Sequence, residues 1–338
     1  MTGLLTKYDN YTLYGIHSKT DRQLLSVYCS LVFLSSLIGD TLILVGSLCY
    51  RAIRLHRLLV VFIQYMALFD LVMIVFRVLP GAVSLLANGW VFGDFLCCVG
   101  YYVSTSAGST LYLIITAMSC TKLVVVKYPL RAISFPAKAA HITTLILLTL
   151  SLCPPVLEDL ADKNSIYFNY LDYNCDYGYS STDSVPGWSS VANTVCAIIV
   201  GVVGVVIITL TVSSNVMLIL VARRTCQPGE VRWQGIWVVI LSAVVFLFSA
   251  LPGTVYFLGS YFVGKNQPDI NRIWHVQLYR FSAYIALIIA PSNFYIYTLT
   301  LTSFREFLGS GIRKTKDLLM RCITDGYSMT AENQDEDQ

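Results

Sequence analysis

Apolar residues in this chain gather in long unbroken stretches, not in the short alternating runs of a strand. Seven stretches reach the roughly 20 predominantly apolar residues that a bilayer-spanning helix needs. They run approximately Leu24–Tyr50, Leu58–Ala87, Leu96–Val126, Ala139–Leu157, Ser190–Val221, Gly235–Val263 and Val276–Thr302. None alternates with period two, which argues against an outer-membrane barrel. The gaps are too short to house a soluble domain. The pattern therefore predicts one all-α, seven-helix transmembrane bundle over 24–302, with a polar tail over 1–23 in front of it. Behind it, 303–338 opens on a short amphipathic helix, Ser303–Gly309, where Phe304 and Phe307 stand beside Arg305 and Glu306.

Composition agrees with this pattern. The 338 residues are 56% hydrophobic and only 13% charged, where a soluble domain is about a quarter charged. That leaves too few polar side chains to cover a water-facing surface. The same balance excludes a disordered chain and a nucleic-acid binder. Ten Cys are too sparse for a disulfide scaffold, and the four His form no zinc-binding spacing with them. No cofactor, metal centre or enzymatic motif is expected.

The net charge of +3 says little about partners, but the placement of charge fixes an orientation. Lys and Arg are retained on the cytoplasmic side of membrane helices. The loops after the first, third and fifth stretches and the C-terminal tail hold fifteen of them, from Arg51 to Arg321. The opposite side holds seven: Lys7, Lys19, Arg22, Lys163, Lys265, Arg272 and Arg280. The N-terminus is thus expected outside the cell, where Asn10-Tyr11-Thr12 forms a glycosylation sequon. Cys97, Cys98 and Cys175 face the oxidising side, and a bridge from Cys97 to Cys175 would pin the fourth-to-fifth loop over the bundle mouth. On the inner side Cys322 follows a basic run, as palmitoylated cysteines do.

Several ordered segments resemble the rhodopsin-like (class A) G-protein-coupled receptors. Met66-Ala67-Leu68-Phe69-Asp70-Leu71 lies in the second stretch, and Trp90-Val91-Phe92-Gly93-Asp94-Phe95-Leu96-Cys97 leads into the third. Tyr128-Pro129-Leu130-Arg131 follows the third, Phe246 and Pro252 mark the sixth, and Asn293-Phe294-Tyr295-Ile296-Tyr297 with Phe304-Arg305 closes the seventh. The resemblance implies a plasma-membrane receptor with an extracellular ligand, a heterotrimeric G protein and membrane lipid as its partners. The chain also departs from the family pattern. Thr121-Lys122-Leu123 stands where most members read Asp-Arg-Tyr, and Lys122 lacks the planar fork of arginine. The sixth-helix Trp is Ala250, the seventh-helix Pro is Phe294 with Pro291 nearby, and the first-helix Asn is Asp40. These changes put ordinary G-protein coupling in question and keep open a binding or scavenger receptor that does not couple. A retinal pigment is excluded, because the position of its lysine is Leu287.

Charges inside the bilayer cost about 2.5–3.5 kcal/mol on insertion scales, so each calls for a role. The resemblance makes Asp70, with Asn293, part of a sodium site whose third-helix polar member is here Leu111. Asp40 adds a second carboxyl, which favours a shared proton or a water cluster over sodium. Arg77, seven residues after Asp70, is expected on the same face two turns outward, as a counter-ion for an anionic ligand group. Tyr101, Ser104 and Thr105 share a face of the third helix, and Phe257, Arg280 and Tyr284 are expected to complete the pocket mouth. Ser104 stands where amine receptors carry Asp. Lys122, Pro252 and Tyr297 are the expected switch positions. The fourth-to-fifth loop carries Glu158, Asp159, Asp162, Asp172, Asp176 and Asp183 against Lys163, interleaved with aromatic residues from Tyr167 to Tyr179. Such a surface suits a basic peptide, or serves simply as a lid with a β-hairpin around Cys175.

Overall fold

The computed structural model describes residues 19–48, 56–128, 136–161, 166–169, 174–177, 188–225, 231–262, 278, 280–311 and 313. Asn10, Cys322 and the acidic loop positions Asp162, Asp172 and Asp183 lie outside them. Seven helices follow in order: α1 Lys19–Leu48, α2 Arg57–Ala87, α3 Gly93–Lys127, α4 Ala137–Ala161, α5 Trp188–Thr225, α6 Val231–Phe262 and α7 Arg280–Thr300. Six are long and apolar enough to cross a membrane; the apolar part of α4, Ala137–Cys153, is shorter. A further short helix over 302–311 follows α7. Between α4 and α5 an antiparallel hairpin pairs β1 Ile166–Asn169 with β2 Asn174–Tyr177, setting Phe168 opposite Cys175.

The bundle is greasy outside as well as inside. Leu24, Val27, Leu31, Leu34 and Ile38 line the outer face of α1, and Val202, Val206, Leu210 and Met217 that of α5, all exposed. A water-soluble bundle would carry charge there; a lipid-facing one buries no polar group by leaving these apolar. The α3 helix runs through the middle, touching α2, α4, α5, α6 and β2, while α1 closes the ring between α2 and α7. Phe304 of the last short helix is fully buried, and Arg305 and Glu306 beside it are exposed. The sequence's alternation of aromatic and charged residues there is thus a docked face and a free one.

Two prolines shape the helices locally. Pro80 has no N–H to give Phe76 and its ring crowds that carbonyl. The helix answers with a π segment, Ile74–Val78, just before it. The freed Phe76 carbonyl leans on α3 at Gly100, where an added Cβ would stand 3.3 Å from it. Pro291 does the same to α7. The helix gives way to a turn at Leu287 and Ile288, whose amides donate to the carbonyls three residues back, Tyr284 and Ile285, at 3.2 and 3.1 Å.

The α2–α3 corner explains the Trp90–Gly93 segment. Asn88 ends α2 in the left-handed region, φ 56°, and the Gly89 amide donates to Ser84 at 3.1 Å. Trp90 Nε1 donates to the Gly93 carbonyl at 2.8 Å and its ring meets Phe92 edge-on at 5.1 Å. Gly93 takes φ 78°, which a side chain would strain. Four residues further on, Cys97 bonds to Cys175 with 5.3 Å between their Cα atoms, so the corner, the head of α3 and strand β2 form one unit. Cys98 is exposed and unbridged.

Candidate functional site

The polar centre of the bundle is assembled from α1, α2 and α7. Asp40 and Asp70 are both fully buried and near enough to act on each other electrostatically. Asn293 Nδ2 donates to Asp70 Oδ2 at 2.6 Å. The other Asp70 oxygen, both oxygens of Asp40, Ser36 Oγ and Tyr297 Oη are buried without a hydrogen-bond partner among the described residues. Ser36 is one turn from Asp40 on α1, and Tyr297 one turn from Asn293 on α7, so the helix repeat brings all five side chains to one seam. The Tyr297 hydroxyl feels the field of both carboxyls. Leu111 on α3, the position of the family's third polar member, is apolar and buried.

An all-oxygen set of two carboxyls and two hydroxyls suits a hard cation, water or a proton shared between the acids. It offers no thiolate or imidazole for a transition metal. Around it the packing is tight. Gly39 faces Phe294, and a Cβ built on that glycine would come 2.6 Å from Phe294 Cβ. Phe294, standing where the family resemblance calls for proline, fits because α1 has no side chain opposite it.

The expected ligand pocket divides in two. Arg77, Tyr284 and Leu287 line a small cavity together with Cys29, Val78, Gly81 and Ala283. Arg280 and Tyr284 line an adjoining groove with Leu25, Phe281, Ile285 and Ile288. Neither space is lined by the α3 residues. Tyr101 and Ser104 are buried, and the Ser104 hydroxyl turns back to the Tyr101 carbonyl at 3.3 Å instead of facing a cavity; Thr105 is half-buried. Phe257 lies on α6, with its side chain outside the described residues. The seven-residue spacing from Asp70 to Arg77 does not by itself carry a face assignment, since the π segment between them widens the turn. Asp70 bonds to Asn293 on α7, and Arg77 lines a cavity shared with α7 residues.

Sequence reasoning missed a polar ladder between α3 and α5. Thr116 and Thr211 hydroxyls meet at 2.8 Å, Asn215 Nδ2 donates to Ser119 Oγ at 2.9 Å, and Cys120 Sγ lies 3.3 Å from Ser214 Oγ. The signal was present as the same i, i+3, i+4 spacing on two helices: Thr116, Ser119, Cys120 and Thr211, Ser214, Asn215. One turn beyond Ser119, Lys122 is buried. In α6, Phe246 is buried edge-on to Tyr112 at 5.2 Å, and Pro252 interrupts the helix's bonding two turns later.

A sequence profile of the family described as 7 transmembrane receptor (rhodopsin family) matches residues 41–295. The chain belongs to that family. The receptor is similar to galanin receptor 2b of Danio rerio, 26% identical over 173 residues, which is 49% of this chain and 41% of that protein. It is also similar to human chemokine XC receptor 1, 32% identical over 153 residues, 45% of this chain and 42% of that protein. The chain thus spans about two fifths of the length of each of these relatives. The receptor is a multi-pass membrane protein, and both family and relatives are receptors.

Proposed function

We propose that this receptor lies in the plasma membrane with its N-terminus outside and relays binding of an extracellular peptide to a heterotrimeric G protein. The observation that carries the ligand class is the Cys97–Cys175 bridge, which holds strand β2 against α3 and the end of α2. The loop it anchors is rich in acidic and aromatic residues, and lying across the bundle's mouth it would offer a basic peptide charge and ring faces together. The two relatives, named for galanin and for a chemokine, support the same ligand class. Arg77, with Tyr284 beside it, is the counter-ion for an anionic group that reaches below the loop. Tyr101, Ser104 and Thr105 do not line that space, and with Phe257 they would serve the separate α3 side of the mouth.

Transduction is a shift between two bundle states, driven by the difference in the ligand's affinity for them. The α6 helix swings about Pro252, and the cleft that opens at the other end is lined by Lys122. The Asp40–Asp70–Asn293–Tyr297 centre ties α1, α2 and α7 and holds a shared proton or water, with sodium as the competing occupant. The second reading, a binding receptor that does not couple, is favoured by Thr121-Lys122-Leu123 and Ala250.

Ligand-dependent nucleotide exchange on a panel of G proteins separates the two, with basic peptides and small anions screened on cells expressing the receptor. Coupling predicts exchange with at least one G protein, and Arg77→Ala is expected to weaken ligands that carry a free carboxylate by about tenfold. Binding without exchange on any G protein would replace the first reading by the second.

A further inference from the structure

The α4 helix turns one stripe outward from the bundle. Lys138, Ile142, Leu145, Thr149 and Leu152 follow one another at alternating four- and three-residue steps, and all are exposed. Lys138 stands in the first turn of α4, and the chain from Ala139 to Leu157 holds no Lys, Arg, Asp or Glu. The cation therefore marks where α4 passes from headgroups into hydrocarbon, with an apolar track running on from it. On α2 and α4 no carboxylate opposes an anion there: Asp70 is buried, and Glu158 and Asp159 lie at the far end of α4.

Beside the head of that track a polar pair joins α2 to α4. Tyr65 Oη and His141 Nδ1 are 3.0 Å apart at the bundle surface, their rings meet edge-on at 5.6 Å, and Phe69 stacks on Tyr65 at 6.3 Å. These contacts fix an imidazole that is itself exposed. Its Nε2 has no hydrogen-bond partner among the described residues, and neither has Lys138 Nζ. Three residues apart on one helix, the two side chains start roughly 5–6 Å from each other, and His141 lies about 4.5 Å deeper than Lys138. An imidazole nitrogen left unpartnered against lipid is costly. A phosphate oxygen at that depth removes the cost and meets the lysine's charge as well.

We propose that this α2–α4 seam binds one anionic phospholipid: its phosphate oxygens accept from Lys138 Nζ and His141 Nε2, and an acyl chain lies along Ile142, Leu145 and Leu152. In that complex the Tyr65 hydroxyl donates to Nδ1, which leaves the neutral ring's one proton on Nε2. Charge complementarity selects the occupant. The cation and the ring donor call for an anion, and the track beyond them accepts only hydrocarbon. The same face of a second receptor copy would cover the track but leave Lys138 and Nε2 unanswered, because α4 has no carboxylate at this end. On the orientation proposed above the seam opens to the cytoplasmic leaflet, where anionic lipids collect.

The test uses the full chain purified in detergent and native mass spectrometry, where there are no leaflets and the outcome does not depend on orientation. Phosphatidylserine is compared with phosphatidylcholine and diacylglycerol of the same chains. The site predicts that phosphatidylserine is retained about tenfold better than diacylglycerol, the scale of one charge-assisted hydrogen bond, with phosphatidylcholine between them. Lys138→Gln and His141→Phe, which keeps a ring against Tyr65, are each expected to remove most of that preference, and Lys138→Arg to keep it. Lys138 is exposed, so Lys138→Gln is expected to melt with the parent and to report on the site alone. Lys19→Gln, exposed at the other end of the bundle, serves as the control and is expected to change nothing. Equal retention of the three lipids, variants at 138 and 141 that bind like the parent, an equal loss in Lys19→Gln, or a receptor dimer that sheds all three lipids would each overturn the proposal.

Discussion

Gly39 and Phe294 show how one residue's chemistry is set by another far along the chain. An alanine at 39 would put its Cβ 2.6 Å from Phe294 Cβ, so α1 and α7 would have to part. Gly39→Ala is expected to destabilise the receptor by about 1–3 kcal/mol, read by thermal unfolding in detergent. Adding Phe294→Ala is expected to recover part of that loss, since neighbouring changes do not add. Asp40 bears on stability with the opposite sign. Both its oxygens are buried beside a second carboxyl, without a hydrogen-bond partner among the described residues. An amide of the same size lowers the cost of burying that group. Asp40→Asn is therefore predicted to raise the melting temperature by a few degrees; a fall would mean that the second carboxyl is required by something bound there. Asp40, Asp70 and Arg77 were legible in the sequence, because charge in an apolar stretch is conspicuous, and Asn293 through the family resemblance alone. Gly39 was not, because a glycine signals close approach only once the opposing helix is known.

At the scale of elements, the seven stretches in the sequence and the seven helices agree to within a few residues at most ends. The first helix begins earlier, at Lys19 instead of Leu24, because hydropathy marks where lipid begins and helix continues past it. The internal irregularities were not legible. Pro80 and Pro291 are plain in the sequence. Whether a proline yields a π turn, as in α2, or a tightened one, as in α7, depends on what the neighbouring helix allows. The α3–α5 ladder is the element-scale contact most open to test. A double-mutant cycle with Thr116→Val and Thr211→Val is expected to give a coupling energy of about 0.6 kcal/mol, the usual value for a hydrogen bond between membrane helices. A coupling of zero would mean that each hydroxyl gives its one proton to its own helix, at the Tyr112 and Ile207 carbonyls within reach at 3.0 and 2.9 Å, and leaves none for the bond between them.

At the scale of the whole molecule the disulfide does what no single helix can. It joins positions 78 residues apart and fixes the hairpin to the head of α3. Removing such a cross-link typically costs about 2–5 kcal/mol. Cys175→Ser is expected to lower thermal stability on that scale and to weaken binding of a loop-contacting peptide more than binding of a small anion at Arg77. Equal loss of both would indicate that the bridge supports the bundle, not the loop.

The sequence by itself determined the membrane, the number of helices and the residues whose charge is out of place, because transfer from water to lipid depends on composition and length alone. Its family resemblance to the rhodopsin-like receptors was carried by short ordered segments and agrees with the profile match over 41–295. The tertiary structure decided which of those residues meet. It set Asp40 and Asp70 on one seam, turned Ser104 back on its own helix, and separated the expected pocket into an α1–α7 side and an α3 side. Lipid rewards every apolar face alike, so only close packing between particular helices can choose their neighbours.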